Sequence, residues 1–177
     1  MATGSQIYKA SINLANLNTH YYDDISLTFA LHPSETEERM MYRLLAFLYS
    51  AHERLELSEG LANPDQPDVW QKDLRGDIEH WIDLGQPDEK RIKKACSKSE
   101  LVSIFTYQPS KASTWVEKTL PRVKNNKKVR IFSFNEIENG PLETIADRTM
   151  SLSCVIEDEN IFLGNESTRV HVVIKHF

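Results

Sequence analysis

The chain has 177 residues, 40% hydrophobic and 27% charged, an ordinary balance for a globular domain and long enough to bury a core. A net charge of −5 argues against a surface that is basic all over, although a local basic patch can still steer a phosphate-bearing partner. No stretch approaches the roughly 18 apolar residues of a membrane span, and the first residues lack the order of a signal peptide, so a single cytoplasmic domain over 1–177, a monomer by default, is expected.

Residues 7–14 and 25–31 alternate apolar and polar side chains, which predicts two strands joined across the polar run 16–24. His32-Pro33-Ser34-Glu35-Thr36-Glu37 then announces a helix, with Ser34 and Glu37 spaced as a capping box. Met41, Leu44, Leu45, Leu48, Ala51 and Leu55 continue at helical spacing, so this helix should run to about Glu53 and turn an apolar stripe to a sheet. Residues 55–57 fit either its end or a short strand, and Gly60, Asn63-Pro64, Gln66-Pro67 and Gly76 mark a region of loops.

Residues 78–84 alternate again and end at Gly85; Pro87 then opens a helix to about Lys98. An apolar run at 101–107, a helix at 110–118 and a strand at 128–134 complete a strand–helix–strand–helix–strand order, which predicts two crossovers and a parallel segment of sheet. Residues 150–157, 161–163 and 169–174 return to strands separated by turn residues, with antiparallel pairing expected. The fold class is therefore mixed α/β (α+β): a central mixed β-sheet with flanking helices and β hairpins at both ends. Cys96 and Cys154 lack paired spacing and are expected to be free thiols.

One stretch carries candidate chemistry. Asp68 follows Pro67 in a loop beside a short strand, and Asp83 closes the strand 78–84, at the end where ligands of open α/β sheets gather. Two carboxylates can hold Mg²⁺ or Mn²⁺, and a nearby lysine can add positive charge at a phosphate or orient water. On the following helix Ile92, Ala95 and Cys96 form the buried stripe, Lys93 and Arg91 flank it on opposite sides, and Lys90 and Lys94 point mainly outward. Lys93 is the lysine favoured by helical phase, with Arg91 next. Glu38, at the edge of the first helix's stripe, is a further acid that can reach a cleft. Each has a plainer reading: Asp68 in an Asx turn, Asp83 as a cap or ion-pair partner, and the lysines as a solvated face. A second basic cluster, Arg122, Lys124, Lys127, Lys128 and Arg130, can contact phosphates. No Walker A loop, Gly-x-Gly-x-x-Gly, Gly-x-Ser-x-Gly or Cys/His zinc spacing is present.

His-Pro-Ser-Glu-Thr-Glu-Glu-Arg-Met-Met at 32–41, Trp-Ile-Asp-Leu-Gly at 81–85, Pro-Asp-Glu-Lys-Arg-Ile-Lys-Lys-Ala at 87–95 and Ala-Asp-Arg-Thr-Met at 146–150 together resemble the YaeQ family of small bacterial proteins over essentially the whole chain. The resemblance implies a core related to the PD-(D/E)XK, restriction-endonuclease-like superfamily with a variant active-site pattern. Under it, Pro67-Asp68 stands for the proline–aspartate element and Asp83-Leu84-Gly85 for the (D/E)XK element, with Gly85 where the lysine belongs. Lys93 would supply the lysine from the next helix, and Glu38 matches the acid on the superfamily's first core helix. The expected function is metal-dependent phosphodiester hydrolysis, with Asp68 and Asp83 as ligands of Mg²⁺ or Mn²⁺. The alternative is a non-catalytic protein that binds nucleic acid or regulates transcription on a nuclease-like fold.

Overall fold

The computed structural model describes residues 4–177, and the alternation at the start of the sequence becomes two long antiparallel strands, β1 (Gln6–Asn16) and β2 (Tyr21–Leu31). The tertiary contacts divide the chain into two compact units, which the sequence does not announce because no linker separates them. The described residues up to Tyr49 join Glu136–Ile174 in the first, and Ser50–Asn135 join Lys175–Phe177 in the second.

In the first unit the helix α1 (Glu37–Tyr49) follows β2. Its cap is Thr36, whose Oγ1 accepts from the Arg39 amide at 3.1 Å. Ser34, expected to cap, instead faces the ring of His32. The helix ends four residues before the expected Glu53. Every residue from Met40 to Leu48 is buried, so the expected stripe is in fact a helix covered all round. Arg43 is tolerated there because Glu35 and the Ala30 carbonyl take its guanidinium, at 3.0–3.1 and 2.8 Å.

The same unit holds β8 (Thr149–Glu157), β9 (Asn160–Gly164) and most of β10 (Arg169–His176). The strands lie in the order β2-β1-β8-β9-β10. β8–β9 and β9–β10 are antiparallel as expected, whereas β1 pairs with β8 in parallel. One face is largely apolar: Tyr8, Ala10, Ile12 and Leu14 of β1, Met150, Leu152, Cys154 and Ile156 of β8, and Val170, Val172 and Ile174 of β10 are all buried. Cys154 is a free thiol, pushed up to about 12 by that burial.

The second unit is built on β3 (Leu55–Leu57), β4 (Val69–Lys72), β5 (Ile78–Leu84), β6 (Ser99–Thr106) and most of β7 (Val129–Glu138), adjacent in that order. β5–β6 and β6–β7 are parallel, which meets the expectation of two crossovers, and β3–β4–β5 are antiparallel. The crossovers are α2 (Glu89–Lys98) and α3 (Pro109–Val123), the latter running on to Val123 where its sequence pattern ends at Lys118. Ile92 and Ala95 of α2 pack with Val123 of α3 on Trp81, Val102, Ile104 and Ile131 of the sheet. On the alternate residues Phe105 stacks with Phe132 and Phe134 at 4.7 and 5.2 Å between ring centres.

The architecture is thus a mixed α+β fold with three α-helices among the described residues. None of them is long and apolar enough to cross a membrane.

Candidate acid-pair site

Asp83 and Asp68 are both buried, at 3% and 4% exposure, although carboxylates seldom are unless paired. Asp68 immediately precedes β4. Its amide donates to the Ile82 carbonyl at 3.0 Å and its Oδ2 accepts from the Leu84 amide at 2.8 Å, so it acts as a side-chain rung at the end of β5. Asp83 sits between those two residues, close enough to Asp68 for the second charge to push its carboxyl up.

Asp83 is met by Arg91. Nε donates to Oδ2 at 2.8 Å and Nη2 to Oδ1 at 2.9 Å, a two-pronged ion pair. The helix start sets up this approach, because Asp88 caps α2 by accepting the Arg91 amide at 2.7 Å. Pro87 therefore lies just ahead of the helix and does not open it. The guanidinium also donates to two loop carbonyls, Nη1 to Pro64 and Nη2 to Gln66, both at 2.9 Å. Its carbon lies 5.7 Å from the centre of the Trp81 ring. Burial raises the Asp83 carboxyl above the ordinary range, the Arg91 hydrogen bonds and charge pull it back, and Asp68 adds a smaller upward push. The buried Trp81 indole N–H has no hydrogen-bond acceptor, yet it faces Asp83 closely enough to favour the charged carboxylate.

The lysines fall elsewhere. Lys93 is three-quarters exposed and its Nζ pairs with Glu89 one turn back, at 2.9 Å. Lys94 reaches Asp65, and Lys90 is exposed. Glu38 belongs to the first unit and has its own neighbours there. With Glu136 and Glu143 it contributes to raising the Tyr42 hydroxyl, after burial and the Glu136 hydrogen bond. Of the residues singled out from sequence, the structure brings Asp68, Asp83 and Arg91 together, and Lys93 does not join them.

Gly85 has φ of +94°, and its amide donates to the Phe105 carbonyl as the chain leaves β5. That backbone conformation favours glycine, so a lysine at this position would be strained. As arranged, the acids do not fit a divalent ion. Arg91 takes both oxygens of Asp83, an amide takes one of Asp68, and among the described residues no group of three His, Cys, Asp or Glu is disposed to hold a metal.

The basic cluster belongs to the second unit. Arg122, Lys124, Lys127, Lys128 and Arg130 are all exposed, although Lys128 also donates to the Cys96 and Ser99 carbonyls at 3.0 and 3.1 Å. The division of charge is uneven: the second unit holds sixteen Lys and Arg against thirteen Asp and Glu, a balance of +3, and the first five against thirteen, a balance of −8.

Residues 1–174 match the model of the YaeQ protein family. The chain is 40% identical to the YaeQ protein of Escherichia coli (strain K12) over 172 residues, 97% of this chain and 95% of that one, and 38% identical to that of Salmonella typhi over the same shares. Its fold superposes on the crystal structure of YaeQ from Xanthomonas axonopodis pv. citri with a TM-score of 0.93, at 34% identity and 98% of each chain. On YaeQ from Pseudomonas syringae the score is 0.89, at 32% identity over 99% of this chain and 97% of that one. With a family match that runs nearly end to end and relatives of this similarity, the chain belongs to the YaeQ family.

Proposed function

We propose that the chain is a nucleic-acid-binding protein on a nuclease-like, PD-(D/E)XK-related fold, whose acid pair serves structure and not hydrolysis. The observation that carries this reading is the guanidinium of Arg91 on both oxygens of Asp83 while Lys93 pairs with Glu89 at the surface. Hydrolysis needs an activated water and a charge-stabilising group beside the phosphate, and neither has room at a carboxylate so engaged. Binding needs only phosphate contacts, and the positive balance and exposed basic cluster of the second unit supply those. The test is fluorescence anisotropy with labelled single- and double-stranded oligonucleotides across a salt series. Affinity that falls linearly with log salt, without cleavage, is expected; no binding at about 50 mM salt would reject the reading.

A second reading is favoured by the proximity of the two buried carboxylates: a nuclease in which Asp68 and Asp83 hold Mg²⁺ or Mn²⁺ after Arg91 has moved aside. Cleavage that requires Mn²⁺ and vanishes in Asp83→Ala would decide for it.

A further inference from the structure

β2 is an edge strand, paired with β1 on one side only. The Lys9 amide donates to the Arg148 carbonyl beside β8, so the odd-numbered residues of β1 turn their backbone groups to β8 and the even-numbered ones to β2. Those even-numbered residues pair in unbroken register with Phe29, Leu27, Ile25, Asp23 and Tyr21. Tyr22, Asp24, Ser26, Thr28 and Ala30 therefore aim N–H and C=O away from the sheet. Arg43 takes the Ala30 carbonyl at 2.8 Å, whereas the backbone groups of the other four meet no partner among the described residues.

Such an edge is ordinarily blunted by shortness, proline, lysine, a bulge or an inward-pointing charge. The second unit's edge strand β3 is three residues long, but β2 runs for eleven with no proline, glycine, lysine or bulge. Its apolar face is also incompletely covered: Ala10 and Ile12 are buried, whereas their partners Leu27 and Ile25 are half-buried. The device it does carry is charge. Asp23 stands on that apolar face beside Leu14, and Asp24 on the opposite face, in a unit whose balance is −8. A second copy would bring −8 against −8, so this guard turns away the chain's own edge and admits a strand that carries cations. We infer that the open edge of β2 accepts an extended basic segment of a partner protein as an added antiparallel strand along Tyr22 to Thr28. Its apolar side chains lie on the face of Ile25 and Leu27 and its lysines or arginines on the face of Asp24. The surface belongs to the first unit, so phosphate binding by the basic cluster of the second can fail while this inference stands.

The test uses the full chain and a fluorescein-labelled octapeptide with blocked ends that alternates lysine and valine, read by fluorescence anisotropy at low salt. It should bind at least about tenfold more tightly than a counterpart alternating glutamate and valine. Paired residues share a face, so the lysine amides are the ones that meet β2. Methylating the lysine amide nitrogens should cost at least about tenfold, and methylating those of the valines should cost little. In the chain, Ser26→Pro removes one outward N–H and leaves the β1 ladder whole; it should weaken binding while the melting temperature stays near the parent's. Asp23→Lys together with Asp24→Lys should invert the preference between the two peptides. The inference is overturned if no peptide binds, if both methylated forms bind like the parent peptide, or if the chain alone sediments as a dimer that Ser26→Pro dissociates, which would give the edge to a second copy. Should Ser26→Pro fail to fold, the two methylated peptides on the unaltered chain decide the matter.

Discussion

His80 on β5 and Ser103 on β6 meet across a parallel strand pair, imidazole Nε2 to hydroxyl Oγ at 2.8 Å. Burial, and after it the charge of Arg130, pushes the imidazole down to about 4. The folded chain therefore favours neutral His80, while the unfolded chain takes up a proton near 6.5. The stability this lends is complete above about pH 6.5 and is lost as pH falls towards 4, by up to about 3 kcal/mol. Urea unfolding at pH 7.5, 6 and 4.5 should show His80→Gln losing less stability on acidification than the parent. Parallel curves would remove His80 as the cause.

Arg91→Gln should be destabilised at neutral pH by on the order of 3 kcal/mol, since it strands the buried Asp83 charge. Without the guanidinium the Asp83 carboxyl rises further above its unfolded value, so the folded chain favours the protonated form. Stability contributed by that protonation is present at low pH and disappears as pH climbs past about 3.8 through the folded value. The deficit of Arg91→Gln against the parent should thus be smaller at pH 4.5 than at pH 7.5, read from paired urea titrations.

Replacing Lys124, Lys127 and Arg130 together by Ala should weaken duplex binding and flatten its salt dependence. Each phosphate contact contributes about 0.9 to the slope of log K against log salt, so loss of all three should lower the slope by between about 2 and 3. Lys128 is left in place because its ammonium ties the end of α2 to the start of β6. An unchanged slope with intact binding would move the interface elsewhere.

Gly164→Ala should be costly. A Cβ there would lie 2.3 Å from the Thr168 carbonyl oxygen and 2.7 Å from the Arg169 Cα, backbone atoms that cannot swing aside. An overpacking loss of about 2–3 kcal/mol is expected, measured by thermal and urea unfolding. Near-parent stability would mean that the β9–β10 turn can open without loss.

Local elements were legible in the sequence wherever period decides them. β1, β5 and α2 stand within about two residues of their predicted bounds because alternation, a proline and a glycine mark them. The α1 cap was misplaced because Ser34, Thr36 and the flanking glutamates offer two plausible registers, and a contact between Ser34 and His32 decides between them. The parallel pairing of β1 with β8 was not legible, since alternation identifies a strand but not its neighbour. For the site, helical phase placed Arg91 and Lys93 on opposite flanks of one apolar stripe. That pattern is symmetric, so it could not tell which flank faces Asp83. The length and planarity of arginine, able to reach two carboxylate oxygens and two carbonyls at once, were the available signal.

The discontinuity of the first unit bears on how the chain comes to its structure during synthesis. Ser50–Asn135 leaves the ribosome as one stretch with nearly all of the second unit's strands, so its sheet can assemble while translation continues. The strand β1 is made earlier, but the edge it turns to β8 must wait unpaired until β8 is made, Lys9 pairing with Thr149, 140 positions further along the chain. A strand made among the first is therefore among the last to complete its pairing, and its open edge is where a holding chaperone would act on the nascent chain.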